Sequence, residues 1–327
     1  MNKKVISIAS VILLLIVVIA ISATTGSIKV SSWELIHGLV TGTNKNVQVI
    51  RDLRLPRIII ALFVGAALAV SGVLLQAVMR SSLADSGVIG ISSGAGFISI
   101  LIVTIFPKWF FFMPLFAFLG GALACFLVYS FSWKAGLSPI RIILVGIAVN
   151  ATFTGLGQSF NYRGSYAVTQ VNQATTSVFT MKTWNDVEVM VIYGTIGLIL
   201  AMMLCSWCNM LALQDKSAKN LGLNVNRARL LVSVVAVLLA AVATAIGGLI
   251  AFVGLLIPHI ARILVGSDHK VLIPFSALTG ALLILTADTL GRTVVAPTEI
   301  PASIIMTVIG GPFLIFLLRK SDRIHGN

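Results

Sequence analysis

The amino-acid sequence predicts an all-α, polytopic membrane protein, in which residues 1–327 form a single transmembrane domain of about ten helices. Two observations support this fold class. Hydrophobic residues make up 58% of the chain and charged residues only 10%, whereas about 25% of residues are charged in a typical soluble domain. Apolar runs close to the roughly 20 residues that cross a bilayer recur along the whole chain.

Apolar runs and helix-breaking residues together define the predicted spans. They lie at residues 5–23, 56–79, 92–106, 111–132, 140–158, 189–207, 229–247, 249–265, 271–290 and 302–319. Residues 1–25 have the pattern of a signal peptide, but the many spans that follow favour an uncleaved first helix. An even number of spans with a cytoplasmic amino terminus puts both termini in the cytoplasm. More Lys and Arg residues then lie inside than outside, as the positive-inside rule expects.

The charge pattern and the missing motifs narrow the function to transport. The net charge is +13, but the basic residues are not interleaved with stacking aromatic residues, so no nucleic-acid partner is expected. The sequence has no G-x-x-x-x-G-K-[ST], H-E-x-x-H or G-x-S-x-G motif, so we assign no catalytic residue, no metal site and no cofactor. Ion-coupled transport by this chain alone stays an alternative, with Asp288 as the ionisable group inside a span.

Polar residues near the ends of two predicted spans suggest local roles. Pro258 should begin a new segment or mark a kink, because proline removes a backbone donor. His259 and Arg262 share one helical face. They either snorkel to the lipid headgroups or have a structural role at the inner face. Asp288 and Arg292 are one helical turn apart, which predicts an ion pair that positions Arg292.

The connection before the second predicted span carries an unusual concentration of positive charge. Arg51, Arg54 and Arg57 follow one another at intervals of three residues, on the side that the predicted topology places outside. The positive-inside rule disfavours basic residues there. The patch therefore either docks an acidic partner or consists of arginines that snorkel at the interface.

Two stretches on the predicted cytoplasmic side also carry information. Residues 209–229 contain a predicted short amphipathic helix, with Gly222 as its C-cap, and offer a surface for a soluble partner. Residues 80–87 are polar and are predicted to form a cytoplasmic turn. The Gly/Ser run that follows, residues 90–96, could be irregular backbone beside a cavity.

These segments together resemble the FecCD transport family, the permease subunits of ABC importers for iron–siderophore complexes, haem and cobalamin. The resemblance covers essentially the whole chain. It is carried by Arg54–Arg57, Val64–Gly72, Leu83–Asp85, Gly90–Ala95, Phe252–Arg262, Ala287–Asp288 with Arg292, and Glu299–Pro301.

The resemblance implies a ten-helix permease domain in the cell membrane, which pairs with a second permease subunit as a homodimer or a heterodimer. It also implies two ATP-binding subunits, which hydrolyse ATP in place of this chain, and an extracytoplasmic substrate-binding protein. We expect the cargo to be an iron–siderophore complex, with haem or cobalamin as alternatives.

The same resemblance assigns roles to individual residues. Docking of the binding protein falls on Arg54, Arg57 and Arg292. Coupling to the ATPase falls on Leu213, Asp215, Ala218, Leu221 and Gly222. The inner gate falls on Leu83, Ala84, Asp85, Leu137, Ser138 and Pro139. The sequence departs from the family pattern at Gln214 in the coupling segment and at Ser81, Ser82 and Ser86 beside the gate, so the inner gate could differ in shape.

Overall fold

A computed structural model describes residues 3–25, 50–133, 139–159, 179–180, 182–294 and 298–325. The regular structure in these ranges is helical. The α-helices are α1 (Lys3–Thr24), α2 (Leu55–Met79), α3 (Ile91–Ile105), α4 (Met113–Trp133), α5 (Pro139–Ser159), α6 (Trp184–Met203), α7 (Cys205–Leu211), α8 (Asp215–Asn220), α9 (Val225–Gly247), α10 (Val253–Val265), α11 (His269–Thr293) and α12 (Ala302–His325). A π-helical turn, Ile50–Arg54, leads into α2, and a 3-10 helix, Pro107–Phe112, precedes α4.

Each predicted span has a helical counterpart, which confirms the all-α, polytopic fold class. Within the described residues, six helices are long and apolar enough to cross a membrane, namely α1, α2, α4, α6, α9 and α11. The apolar parts of α3, α5, α10 and α12 are shorter. The count of ten spans and the cytoplasmic position of both termini stay predictions.

The start of α6 differs from the predicted start at residue 189. The helix begins at Trp184, because the Asp186 carboxylate accepts a hydrogen bond from the Thr183 backbone N–H at 2.8 Å. This bond satisfies a donor at the helix start that has no intrahelical partner. The first turn of α6 is polar, so the apolar pattern alone did not include it.

Helix α2 lies at the centre of the bundle and is buried continuously from Val64 to Met79. It packs against α9, α10 and α11. A Cβ atom added to Gly65 would lie 2.2 Å from the carbonyl oxygen of Gly280, and one added to Gly72 would lie 2.1 Å from that of Gly254. Glycine lets helix backbones approach this closely, and close approach is a main source of helix association in lipid.

The chain between α9 and α10 leaves helical conformation near the middle of the bundle. Gly248 and Phe252 have φ angles of +76° and +70°, in the left-handed region that non-glycine residues rarely adopt. Helix α10 then begins at Val253 and runs through Pro258. Of the two alternatives for Pro258, a new segment or a kink, the first is wrong, since the boundary lies at Val253.

Gln76 of α2 compensates for the proline inside α10. Because Pro258 has no backbone N–H, the Gly254 carbonyl loses its usual i+4 donor. The Gln76 Nε2 atom donates to that carbonyl at 3.0 Å, and the Gln76 Oε1 atom accepts a hydrogen bond from Arg262 Nη1 at 2.5 Å. Arg262 therefore joins α10 to α2, which agrees with a structural role and not with snorkelling. The His259 ring lies edge-on to Phe313, with centroids 5.8 Å apart.

We predict that Gly65→Ala lowers the melting temperature of the detergent-purified chain. The added methyl group would overlap the Gly280 backbone, and overpacking of this kind typically costs about 1–3 kcal/mol. Gly155→Ala on α5 is the matched control, because an added Cβ atom there meets nothing within 4 Å. Alanine is also the better helix former by up to about 1 kcal/mol, so the control should melt at or above the wild-type temperature. Equal melting temperatures for the two variants would contradict the close α2–α11 contact.

Candidate functional site

The three arginines predicted to dock a binding protein lie together at one end of the bundle. Arg54 closes the π-helical turn and Arg57 stands in the first turn of α2. Pro56 fits that first turn because the N–H groups there have no intrahelical acceptor. Arg292 stands in the last turn of α11. We call Arg54, Arg57 and Arg292, together with Asp288 and Glu299, the outer cluster, after the side on which the predicted topology places it.

Arg57 and Asp288 form a buried, bidentate ion pair between α2 and α11. The Nε atom of Arg57 lies 2.9 Å from Oδ2 of Asp288, and its Nη2 atom lies 2.8 Å from Oδ1. The two side chains are 11% and 3% exposed. A planar guanidinium matches a carboxylate in this parallel geometry, which gives one of the stronger ion pairs found in proteins.

The remaining nitrogen of Arg57 reaches a second carboxylate. Its Nη1 atom lies 3.0 Å from Oε2 of Glu299, and the Thr180 hydroxyl donates to the same oxygen at 2.7 Å. Partial burial alone would raise the pKa of Glu299, but the hydrogen bond from Thr180 and the charge of Arg57 lower it below its ordinary value. Glu299 is therefore ionised at neutral pH.

Arg292 and Arg54 tie the carboxyl end of α1 to the cluster. The predicted ion pair between Arg292 and Asp288 is confirmed, with 3.6 Å between Nε and Oδ2. The Nη2 atom of Arg292 donates to the backbone carbonyl and the hydroxyl of Ser22, at 3.1 and 2.7 Å. Arg54 Nη1 donates to the Ala23 carbonyl at 3.0 Å.

The accessible positive charge of the outer cluster is smaller than its arginine content suggests. The side chain of Arg292 is only 8% exposed, and Arg57 is divided between two carboxylates. Arg54 is half-buried, and Arg51, next to the cluster in sequence, is exposed. An acidic side chain approaching this end of the protein would thus meet Arg51 and Arg54 first.

A second set of charges lies beyond the other end of α2. Arg80 follows α2 with a φ angle of +50°, and its Nη2 atom lies 2.6 Å from Oδ1 of Asp215. Arg229 of α9 donates to the same carboxylate oxygen from Nη2 at 3.0 Å. Arg80 also donates from Nε to the Leu211 carbonyl at 2.8 Å. We call Arg80, Asp215 and Arg229 the inner cluster.

The inner cluster fixes the segment that was predicted to couple to an ATPase. The short helix expected there is α8, with Ala218 buried and with Leu213 and Leu221 exposed by 42% and 65%. Gly222 ends the helix with a φ angle of +83°, and the Leu223 N–H donates to the Ala218 carbonyl at 3.1 Å. This is the Schellman pattern that a terminal glycine permits, and it confirms the predicted helix end. Leu213 and Leu221 flank α8 on either side, and exposed leucines beside a fixed helix can pack against a partner surface.

The proposed inner-gate residues before α3 are more buried than we expected for a cytoplasmic turn. Ala84 and Asp85 are 3% and 2% exposed, and Leu83 is partly buried. The Asp85 carboxylate accepts from the Gly87 N–H at 3.2 Å and also from the N–H groups of Phe252 and Gly254 at the start of α10. Burial raises the pKa of Asp85 to about 6, and these backbone bonds offset only part of that rise.

The other gate residues give less information. Leu137 and Ser138 lie outside the described residues, and Pro139 is the first residue of α5. The run at residues 90–96, which could have been irregular, is helical from Ile91 onwards. Among the described residues, no group of three His, Cys, Asp or Glu side chains could hold a metal ion.

Sequence reasoning missed the partners that organise both clusters. Arg57 and Asp288 are 231 residues apart in sequence, and no local pattern links them. Gln76 could have been noticed, because it is one of only three polar residues in a strongly apolar helix, and such residues are usually buried against a partner. Arg80 and Asp215 were both visible as charges at span ends, but their pairing depends on the tertiary fold.

Comparison with known proteins is consistent with this architecture. The model of the FecCD transport family matches residues 14–320. The "Probable heme-iron transport system permease protein IsdF" of Staphylococcus aureus strain MSSA476 is 41% identical over 322 residues, which cover 98% of both chains. Its counterpart in strain Newman is 40% identical with the same coverage.

Two solved structures share the fold. The chain of the structure described as "An inward-facing conformation of a putative metal-chelate type ABC transporter" superimposes with a TM-score of 0.79 at 30% identity, over 97% of this chain and 99% of that one. PsaBC from Streptococcus pneumoniae in complex with a Fab has a TM-score of 0.61 at 19% identity over 88% of this chain and 95% of that chain, which shows the fold alone. The chain therefore belongs to the FecCD transport family and is a multi-pass permease of the cytoplasmic membrane.

Proposed function

We propose that this chain is the membrane-spanning subunit of an ATP-driven importer that carries an iron chelate into the cell. The observation that supports this most directly is the match over 97% of the chain to a metal-chelate type ABC transporter. The chain supplies the pathway, an outer surface for docking and an inner surface for coupling. The importer is completed by a second permease subunit, two ATP-binding subunits and an extracytoplasmic substrate-binding protein. The chain crosses the membrane ten times, with both termini in the cytoplasm.

We favour haem over a ferric siderophore as the cargo. The sequence alone predicted an iron–siderophore complex, but the relatives at 40–41% identity are haem-iron permeases by name. The decisive experiment measures uptake of labelled haem, a ferric hydroxamate, a ferric catecholate and cobalamin in a strain that lacks this chain. Haem uptake should be lost and then restored by the plasmid-borne gene. Restoration of a siderophore and not of haem would overturn the choice of cargo, and uptake that persists without ATP would overturn the importer class.

Docking of the binding protein is assigned to the outer cluster. Asp288 neutralises Arg57 and holds it in place, so that Arg54, which is half-buried, is more accessible to a partner than Arg57 or Arg292. Charged residues at the rim of an interface mainly change the association rate and its dependence on salt. This separates a positioning role for Arg57 and Arg292 from a contact role for Arg54.

We predict that Arg54→Glu weakens binding of the purified substrate-binding protein to the reconstituted importer by about tenfold, mainly through slower association, because rim charges act on association. Surface plasmon resonance at several salt concentrations measures both quantities. The wild-type affinity should fall as salt rises, since exposed pairs are screened over about 8 Å at physiological ionic strength.

Lys108→Glu is the matched control for this docking test, because Lys108 is an exposed cation that belongs to the connection before α4 and not to the outer cluster. Its affinity should stay close to wild type. An equal loss in both variants would show a general charge effect, and no loss at Arg54 would remove the docking assignment.

Coupling to the ATPase is assigned to α8 and the inner cluster. Asp215 is the acidic member of the inner cluster, and both Arg80 and Arg229 contact its carboxylate. Removing that charge leaves two guanidinium groups facing each other. The helix would then lose the contacts that fix its position against α2 and α9.

We therefore predict that Asp215→Asn abolishes ATP-driven uptake, while the chain still inserts into the membrane. Uptake and ATP hydrolysis are measured in the same proteoliposomes, and hydrolysis should no longer respond to the binding protein. Lys216→Gln, a change of the exposed neighbouring residue, serves as the control and should transport normally. Wild-type uptake by Asp215→Asn would exclude the inner cluster from coupling.

A further inference from the structure

A groove between α4 and α9 begins at the inner cluster and extends towards the middle of both helices. The two helices are antiparallel there, because Tyr129 lies opposite Ser233, with 3.4 Å between the hydroxyl oxygens, and Gly121 lies opposite Val237. The groove encloses about 310 Å³. Its walls are mainly aromatic and aliphatic, and they include Phe118, Ala122, Phe126, Leu230 and Val234.

The charged and amide side chains of the groove lie at one end only, and the hydroxyls of Tyr129 and Ser233 along its walls face each other. Asn226 and Arg229 line that end, whereas Val237 lines the other. The stretch from Asn226 to Val237 is about 16 Å long at 1.5 Å per residue. One leaflet contributes about half of the roughly 30 Å hydrocarbon thickness of a bilayer. The groove thus has the length and the polarity of a single lipid in one leaflet.

The groove opens sideways from the bundle. Phe126 and Leu230, on opposite walls, are 66% and 65% exposed. Both belong to helices that are long and apolar enough to cross a membrane. In a membrane-spanning segment, such an opening meets acyl chains and not water.

Arg229 has hydrogen-bonding capacity that the protein does not use. Its Nη2 atom shares one oxygen of Asp215 with Arg80, so a single carboxylate faces two cations. Its Nε atom is buried and has no hydrogen-bond partner within the described part of the chain. A buried donor without an acceptor is destabilising, and an anion at the end of the groove would supply the missing acceptor. A neighbouring cavity shares Asn226 and adds Lys219.

We propose that this groove binds an anionic phospholipid of the inner leaflet, with an acyl chain along α4 and α9 and the phosphate at Arg229. Basic pockets between membrane-spanning helices on the cytoplasmic side recognise anionic headgroups in this way. Assignment to the inner leaflet rests on the proposed topology, which places the first turn of α9 at the cytoplasmic surface. A zwitterionic lipid would bring its own cation towards Arg80 and Arg229, so we expect it to bind more weakly.

Native mass spectrometry of the full-length chain, released from nanodiscs of equimolar phosphatidylglycerol and phosphatidylcholine, tests this proposal. The wild type should retain phosphatidylglycerol in preference to phosphatidylcholine. Arg229→Gln should reduce the retained phosphatidylglycerol about fivefold, because one arginine near an anionic headgroup contributes about 1 kcal/mol. Arg229→Lys should keep most of the binding.

Arg227→Gln is the matched control, since Arg227 is an exposed arginine on the same turn of α9 that does not line the groove. It should retain phosphatidylglycerol as the wild type does. Ala122→Trp fills the apolar part of the groove without changing any charge and leaves the Arg229–Asp215 pair in place. It should lose the lipid as Arg229→Gln does, so the test does not depend on the folding of one variant.

Several results would overturn the proposal. Equal losses in Arg227→Gln and Arg229→Gln would show attraction to the general positive charge. Displacement of phosphatidylglycerol by millimolar inorganic phosphate would show a site for free phosphate. Retention of lipid by Ala122→Trp would place the lipid elsewhere. A second copy of the chain could also cover the groove. In that case the wild type would be a dimer without bound lipid, and Leu230→Glu would give a monomer that binds lipid.

Discussion

The ion pair between Arg57 and Asp288 is the interaction on which the outer half of the structure depends. It joins α2, the buried central helix, to α11, and it lies beyond the close contact between Gly65 and Gly280. Two charges in a buried site are costly to desolvate, and removing one partner of such a pair typically costs about 3–5 kcal/mol. The desolvation cost offsets much of the attraction between the two charges, so the net stabilisation by the pair is small. Its main effect is on the relative placement of the two helices. It fixes which face of α11 meets α2, and it determines where Arg54, Arg292 and Glu299 can lie.

The inner half of α2 is fixed by different chemistry, with hydrogen bonds in place of a buried ion pair. Gln76 satisfies the carbonyl that Pro258 leaves without a donor and holds Arg262, while Arg80 reaches across to Asp215 beside α8. One continuous helix, about 37 Å long at 1.5 Å per residue, thus holds Arg57 of the outer cluster at one end and leads to Arg80, which contacts the proposed coupling segment, beyond the other. The proposed lipid groove adjoins this inner cluster, where Arg229 contacts both Asp215 and the groove.

The sequence predicts the fold class well because each membrane-spanning helix needs an apolar run whose length is set by the thickness of the bilayer. It predicts α8, the glycine that ends it and the local Asp288–Arg292 pair, since each depends on residues within one or two helical turns. It does not show that α10 continues through Pro258, because the compensating donor, Gln76, comes from another helix. It fails likewise for Asp288, whose stronger partner lies 231 residues away. The motifs of the FecCD family single out Arg54, Arg57 and Arg292, but they do not show that Arg57 and Arg292 are engaged inside the protein.

A double-mutant cycle on Arg57 and Asp288 tests most directly whether a buried ion pair organises the outer cluster. Melting temperatures of the detergent-purified wild type, Arg57→Gln, Asp288→Asn and the double variant give the coupling between the two side chains. The account predicts that each single variant is strongly destabilised and that the double variant is no less stable than either, with a coupling of about 3 kcal/mol or more. Additive losses in the four proteins would contradict it, because the two side chains would then contribute independently.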